Sequence, residues 1–303
     1  MSIDQTSIRA AHARIAGDIR RTPILRLEDG LCLKLESLQR GGSFKPRGAF
    51  NRLRQAGDLS AGVVAASGGN HGVAVALAAR ALGVTARIFV PQVSAAAKQA
   101  AIRAQGAELV VGGASYADAL AAAEAWQATS GAVCVHAYDQ EEVLSGQGTV
   151  ALEWQEQAPE LTHILVAVGG GGLIGGMAAW HAGGSTQVVA VEPHTSCALH
   201  AALAAGRPVD VPVAGIAADS LGARRVGALM FPIARAHVAA SVLVEDAAIG
   251  DAQSWLWREC RMLTEPGGAT AMAALLSGAW VPPPGARVGV LVCGGNATPG
   301  DVA

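Results

Sequence analysis

The chain has 303 residues, 51% hydrophobic and 15% charged, with a formal net charge of -2. That length supports two domains with cores of their own or one large one, and the near-neutral charge offers no footprint for nucleic acid or an anionic membrane surface. Residues 1–16 carry Asp4, His12 and Arg14 within an alanine-rich run, so neither a signal peptide nor a spanning helix is expected, and a cytoplasmic protein is.

The first segment with evident chemistry is Ser43-Phe44-Lys45-Pro46-Arg47-Gly48-Ala49, just after Gly41 and Gly42. A lysine set among small, apolar and ring-bearing residues can have its stem buried and its ammonium desolvated. That lowers its pKa and frees the nitrogen to attack a carbonyl, as a Schiff-base lysine must. The alternative is a surface lysine with its head in water. Beyond it, short apolar runs at 61–66, 86–90, 108–111, 132–135, 163–168, 187–191, 241–244 and 287–292 predict strands. Stretches of helix-forming composition at 72–82, 94–105, 116–129, 173–181 and 251–261 alternate with them. Such alternation predicts an α/β fold with a mostly parallel, helix-covered sheet, and continuous apolar strands such as 164–168 fit burial on both faces. Pro282-Pro283-Pro284 reads as a loop before the last strand. The five cysteines, Cys32, Cys134, Cys197, Cys260 and Cys293, are scattered and lack any C-x-x-C pair, so neither disulfides nor a zinc site is expected.

Three glycine-containing turns follow predicted strands, where ligands bind in open α/β sheets. Ser67-Gly68-Gly69-Asn70-His71-Gly72 offers helix-start amides, a hydroxyl and a carboxamide, a neutral cradle suited to a carboxylate. It also reads as an ordinary turn with Ser67 or Asn70 capping the helix and His71 packed inside. Gly169-Gly170-Gly171-Gly172-Leu173 lets the backbone approach a ligand closely, and the helix behind it favours a phosphate. The same segment satisfies G-x-G-x-x-G through Gly170, Gly172 and Gly175, with Glu192 placed as a ribose-binding acid, so a dinucleotide oxidoreductase is the rival reading. Cys293-Gly294-Gly295-Asn296 ends the final strand, where the thiol either meets a ring nitrogen or fills space.

Taken in this order, the lysine segment, the asparagine loop, the tetraglycine turn and the C-G-G-N strand end resemble the fold-type II pyridoxal-phosphate enzymes, a tryptophan synthase β-like class. The likeness runs from Arg21-Thr22-Pro23 to Asn296. It implies two domains built on open, twisted, mostly parallel sheets: a large cofactor-binding one from 1–50 and 141–303, and a small mobile one from 51–140 carrying the asparagine loop. It implies that Lys45 anchors pyridoxal 5'-phosphate covalently and then acts as the base at Cα. Phe44 would pack near the ring, Gly169, Gly170, Gly171, Gly172 and Leu173 would hold the phosphate, and Cys293 would face the pyridine nitrogen. Ser67, Gly69, Asn70 and His71 would grip the substrate carboxylate, with Asn70 reaching the cofactor's 3'-oxygen. A thiol is a weak partner for the ring nitrogen, which favours prompt β-elimination over a long-lived carbanion.

Within that class the chain is most similar to serine/threonine dehydratases. Glu265-Pro266-Gly267-Gly268-Ala269 is like their E-P-x-G-A, which makes Glu265 a cofactor-side residue, and Glu192-Pro193 is like their V-E-P. Ala218-Asp219-Ser220 is similar to A-D-G, with Ser220 departing from the glycine. Related racemases carry a second serine where Gly68 stands, and an acid that binds a divalent cation where Ala198 stands. Elimination without racemisation and without a metal is therefore expected. The chain ends at Ala303, leaving no room for the regulatory domain of biosynthetic threonine dehydratases, so a catabolic enzyme is expected, as a homodimer. The implied reaction turns L-threonine or L-serine into 2-oxobutanoate or pyruvate plus ammonia. Hydroxyaspartate or phenylserine is the alternative substrate, and Arg224-Arg225 offers a second-carboxylate site. A catalytically silent binding protein is the remaining class.

Overall fold

A computed structural model describes residues 3–27, 30–298 and 300. The expected outer limits of the large domain, residues 1 and 303, lie outside the described residues. The helices are α1 (Gln5–Ile15), α2 (Lys45–Gln55), α3 (Asn70–Ala81), α4 (Ala96–Ala104), α5 (Tyr116–Ser130), α6 (Glu141–Gln157), α7 (Gly172–His181), α8 (Ala198–Ala205), α9 (Ala218–Leu221), α10 (Met230–His237), α11 (Asp246–Cys260) and α12 (Pro266–Leu276). The strands are β1 (Ile24–Arg26), β2 (Cys32–Leu35), β3 (Val63–Ala66), β4 (Ala86–Val90), β5 (Glu108–Val111), β6 (Val133–Cys134), β7 (His163–Ala167), β8 (Gln187–Pro193), β9 (Val238–Val244) and β10 (Val288–Val292).

They form two sheets. One has the order β1-β2-β10-β7-β8-β9, parallel except for the β1-β2 pair, and the other is an all-parallel β5-β4-β3-β6. The central strands β7, β8 and β10 are almost wholly buried, which is why their sequences are unbroken apolar runs. The main core surrounds the six-stranded sheet, and two smaller clusters cover the faces of the four-stranded one. The α/β architecture with mostly parallel sheets is the one the alternating pattern predicts.

Several boundaries move. β9 begins at Val238 rather than 241, and α11 at Asp246 rather than 251. Residues 141–157, to which the sequence pattern assigned no element, form α6. Two glycines hide that helix by weakening its propensity. Tertiary contact explains them: a Cβ at Gly146 would lie 2.6 Å from the Arg47 carbonyl oxygen, and one at Gly148 would lie 2.9 Å from that of Gly176. α6 thus wedges between α2 and α7, the two helices whose N-termini frame the site. No helix among the described residues is long and apolar enough to cross a membrane.

Candidate active site

Lys45 is the first residue of α2, and Pro46 behind it suits a helix start because its missing N–H would be unpaired there anyway. The segment is tied to the end of β10. Ser43 bridges Gly294, and the Phe44 N–H donates to the Cys293 carbonyl at 3.2 Å. Gly42, at φ +73°, allows this approach, since a Cβ there would stand 2.1 Å from Asn296 Oδ1. The half-buried Lys45 donates from Nζ to the Ala137 carbonyl at 2.9 Å, and Nζ lies 5.1 Å from the Phe44 ring centroid. Burial pulls its pKa down to about 8, against the opposing pull of Cys293 and Glu265.

The tetraglycine turn joins β7 to α7 with Gly171 at φ +89°. Side chains would not fit there. A Cβ at Gly170 would lie 2.2 Å from the Tyr138 ring, and one at Gly171 would lie 2.5 Å from Met230. On the opposite wall Glu265 sits at the N-cap position of α12, buried rather than solvated. Burial pushes its pKa up to about 7, although Asn70 donates to it at 2.5 Å. Asn70 in turn accepts from Asn296 at 2.7 Å. Cys293 is buried and donates to the Gly267 carbonyl at 3.3 Å, and desolvation pushes its thiol pKa well up. Ser220 accepts from the Gly267 N–H at 3.0 Å and donates to the Ala217 carbonyl at 3.3 Å.

These residues surround one cleft. Phe44, Lys45, Asn70, Gly169, Gly170, Gly171, Gly172, Leu173, Glu265 and Cys293 all line it. Ser67, Gly69 and His71 stand behind Asn70, off its wall. Ser67 Oγ accepts from Gly69 N–H at 3.2 Å, while His71 Nε2 meets the Val135 carbonyl at 2.8 Å and burial drops its pKa to about 3. Above Gly68, Ser94 Oγ occupies the space, 2.2 Å from where a Cβ would be. Tyr138, Ser220 and Leu221 complete the wall. Tyr138 had one usable signal in the sequence, its place just past the carboxyl end of a predicted strand.

The residues present fit pyridoxal phosphate. The glycine turn is a cradle that any side chain would fill, it opens a helix whose first amides suit a phosphate, and a desolvated amine faces the same cavity. The dinucleotide reading fails at Glu192. That carboxylate is fully buried and accepts the N–H groups of Leu199 and His200 at 2.8 and 2.7 Å, so it caps α8 and is not available to a ribose. Ala198, where an acid would complete a cation site, is a buried alanine, and no group of three or more potential metal ligands occurs among the described residues. Asp219 pairs with Lys98 at 2.9 Å. Arg225 pairs with Asp210 in solvent, and neither it nor Arg224 reaches the cavity wall.

Comparison with known proteins agrees with this geometry. The family described as pyridoxal-phosphate dependent enzyme matches residues 15–294. A serine racemase of Oryza sativa subsp. indica is 36% identical over 310 residues, covering 97% of this chain and 91% of that protein. An L-threonine ammonia-lyase of Geobacter sulfurreducens is 38% identical over 285 residues, covering 90% of this chain and 70% of that one. The solved structure of maize serine racemase superposes with a TM-score of 0.94 at 35% identity, covering 99% of this chain and 95% of that one. The chain therefore belongs to the pyridoxal-phosphate dependent enzymes, within the family of serine racemases and threonine dehydratases.

Proposed function

We propose that the protein is a dehydratase, an ammonia-lyase that converts L-threonine and L-serine to 2-oxobutanoate and pyruvate plus ammonia by eliminating the β-hydroxyl. One observation carries the reading: among the described residues, Lys45 is the single basic side chain on the cavity wall. Proton transfer at Cα is then assigned to Lys45, and Gly68, at the place of the racemases' second serine, has no proton to give. Racemisation needs a second.

Pyridoxal phosphate, when bound, supplies the electron sink that stabilises negative charge at the substrate's Cα. In this reading Lys45 would hold the cofactor and act as the base that takes the substrate's α-proton. Gly169 to Gly172 and Leu173 hold the phosphate through backbone amides, and Phe44 packs against the ring. Asn70, held by Glu265 and Asn296, presents its amide to the 3'-oxygen. Ser67, Gly69, Asn70 and His71 hold the substrate carboxylate, His71 by its backbone because its ring is turned to Val135. Cys293 keeps its proton and so serves the ring nitrogen only weakly, which favours departure of the hydroxyl. The six-stranded sheet would form the large cofactor domain of 1–50 and 141–303, and the four-stranded sheet the small mobile domain of 51–140. Helix α2 runs across residue 50. With no arginine on the wall, the second carboxylate of hydroxyaspartate lacks a partner.

The test is to incubate holoenzyme with L- and D-threonine, serine, hydroxyaspartate and phenylserine and to measure 2-oxo acid, ammonia and D-serine. We expect 2-oxo acid from L-threonine and L-serine, and loss of both turnover and the bound cofactor's visible absorbance in Lys45→Ala. D-serine forming as fast as pyruvate would sink the elimination reading. Turnover confined to hydroxyaspartate or phenylserine would replace the substrate.

A further inference from the structure

The loop proposed to hold the substrate carboxylate, Ser67 to His71, is gripped on two sides by residues that are not on the cavity wall. Two glycines let the grip close. Ser94 fills the space a Cβ at Gly68 would need, and a Cβ at Gly69 would lie 3.5 Å from the Asp219 carbonyl oxygen. Ser94 belongs with the four-stranded sheet: it stands just before α4, and its carbonyl accepts from Gln99 Nε2 of that helix at 3.0 Å. Asp219 belongs with the six-stranded sheet, because α9 is tied there at three points. Leu221 backs the glycine turn, its Cα 3.0 Å from where a Cβ at Gly169 would be, and its carbonyl accepts from Ser196 Oγ at 3.1 Å. Ser220 accepts from the Gly267 N–H at 3.0 Å.

One ion pair joins the two sides of the grip. Lys98 Nζ of α4 lies 2.9 Å from Asp219 Oδ2 of α9. Among the described residues it is the one ion pair that links residues 63–134 to the rest of the chain. The pair borders the site: burial lifts the pKa of Glu265 on the cavity wall, Lys98 pulls against that lift and Asp219 adds to it. With 30% of the Lys98 side chain and 80% of the Asp219 side chain exposed, water competes for both charges. Such a contact biases a loop without locking it.

We propose that Lys98 and Asp219 are positioning residues. Paired, they close Ser94 and α9 on the asparagine loop and hold its amides where the substrate carboxylate binds. Parted, they let the four-stranded sheet draw back and admit substrate. The role rests on the dehydratase reading for its substrate and on the four-stranded sheet as the mobile unit.

The holoenzymes to compare are wild type, Lys98→Glu, Asp219→Lys and the exchanged pair Lys98→Glu/Asp219→Lys. The measurements are kcat and KM on L-serine, the unfolding midpoint, and amide exchange over residues 67–71. Breaking an exposed pair shifts an equilibrium by at most about fivefold. We expect KM to rise by about that factor in each single variant and exchange over 67–71 to quicken, with kcat and the unfolding midpoint unchanged. The exchanged pair should restore both to wild-type values. KM or exchange unmoved in the single variants, losses that the exchanged pair does not restore, or losses that track a lowered unfolding midpoint would each overturn the assignment. Exchange that follows the charges in a protein whose wild type makes no 2-oxo acid from L-serine would support the clamp and sink the dehydratase reading instead.

Discussion

Two lysines of this chain are withdrawn from water, and their surroundings give them opposite properties. Burial lowers the pKa of both, but Lys34 lies 2.5 Å from the Glu153 carboxylate and also donates to the Thr22 carbonyl and the Gln157 amide oxygen. It stays an ammonium. Lys45 has one neutral carbonyl and a pKa of about 8, so near neutral pH a much larger share of it is the free amine than an exposed lysine provides. Uptake of pyridoxal phosphate by the apo protein should therefore quicken as pH rises toward about 8 and level off above it, followed by the growth of visible absorbance. A rate still climbing steeply at pH 10 would contradict the desolvated amine. The composition around Lys45 made this legible from sequence, because small and apolar neighbours cannot pair a charge. Tyr138 was not legible in the same way: its ring reaches the cavity wall by lying against glycines more than thirty residues away along the chain.

The helix that presents Lys45 is fixed from beneath by buried charge. Arg47, one turn in, is fully buried, contacts Glu36 at 2.7 Å through two nitrogens, and reaches Glu153 at 3.1 Å and Thr149 at 3.2 Å. This joins α2 to the turn after β2 and to α6, which sets the direction of the Lys45 stem. Removing Arg47 leaves the buried Glu36 carboxylate with the Thr22 hydroxyl in place of a cation. Arg47→Met should cost about 3–5 kcal/mol in denaturant unfolding and weaken cofactor retention with it. Burial alone would raise the pKa of Glu153, but Arg47 and Lys34 outweigh that and hold it below the ordinary carboxylate range. Its stabilising contribution is thus present above that range and is lost as pH falls through it. The Glu153 contribution should be independent of pH near neutrality, and unfolding midpoints should drop with acid more steeply in wild type than in Glu153→Gln. The Glu192 cap on α8 is a smaller device of the same kind, and Glu192→Ala should cost about 1 kcal/mol by loss of the cap.

At the scale of the molecule, function sits where two sheets of unequal burial meet. The strands β7 and β10 are buried along nearly their whole length, whereas β5 is an edge strand with three of its four residues exposed, and α5 buries only Ala119 and Ala123. Amide exchange should be slowest in β7 and β10 and markedly faster in β5 and α5. Uniform protection across both sheets would count against two cores of different stability. The sequence by itself determined the α/β class and picked out the lysine, the glycine turn and the strand-end thiol that line one cavity, because each rests on local composition or on the strand-turn-helix pattern. Only the tertiary structure decided that Glu192 serves a helix cap instead of a ribose, that Ser94 fills the space above Gly68, and that the Tyr138 ring lines the cavity against the glycine turn. Those outcomes depend on which side chains meet across elements distant in the chain, and no local pattern encodes that.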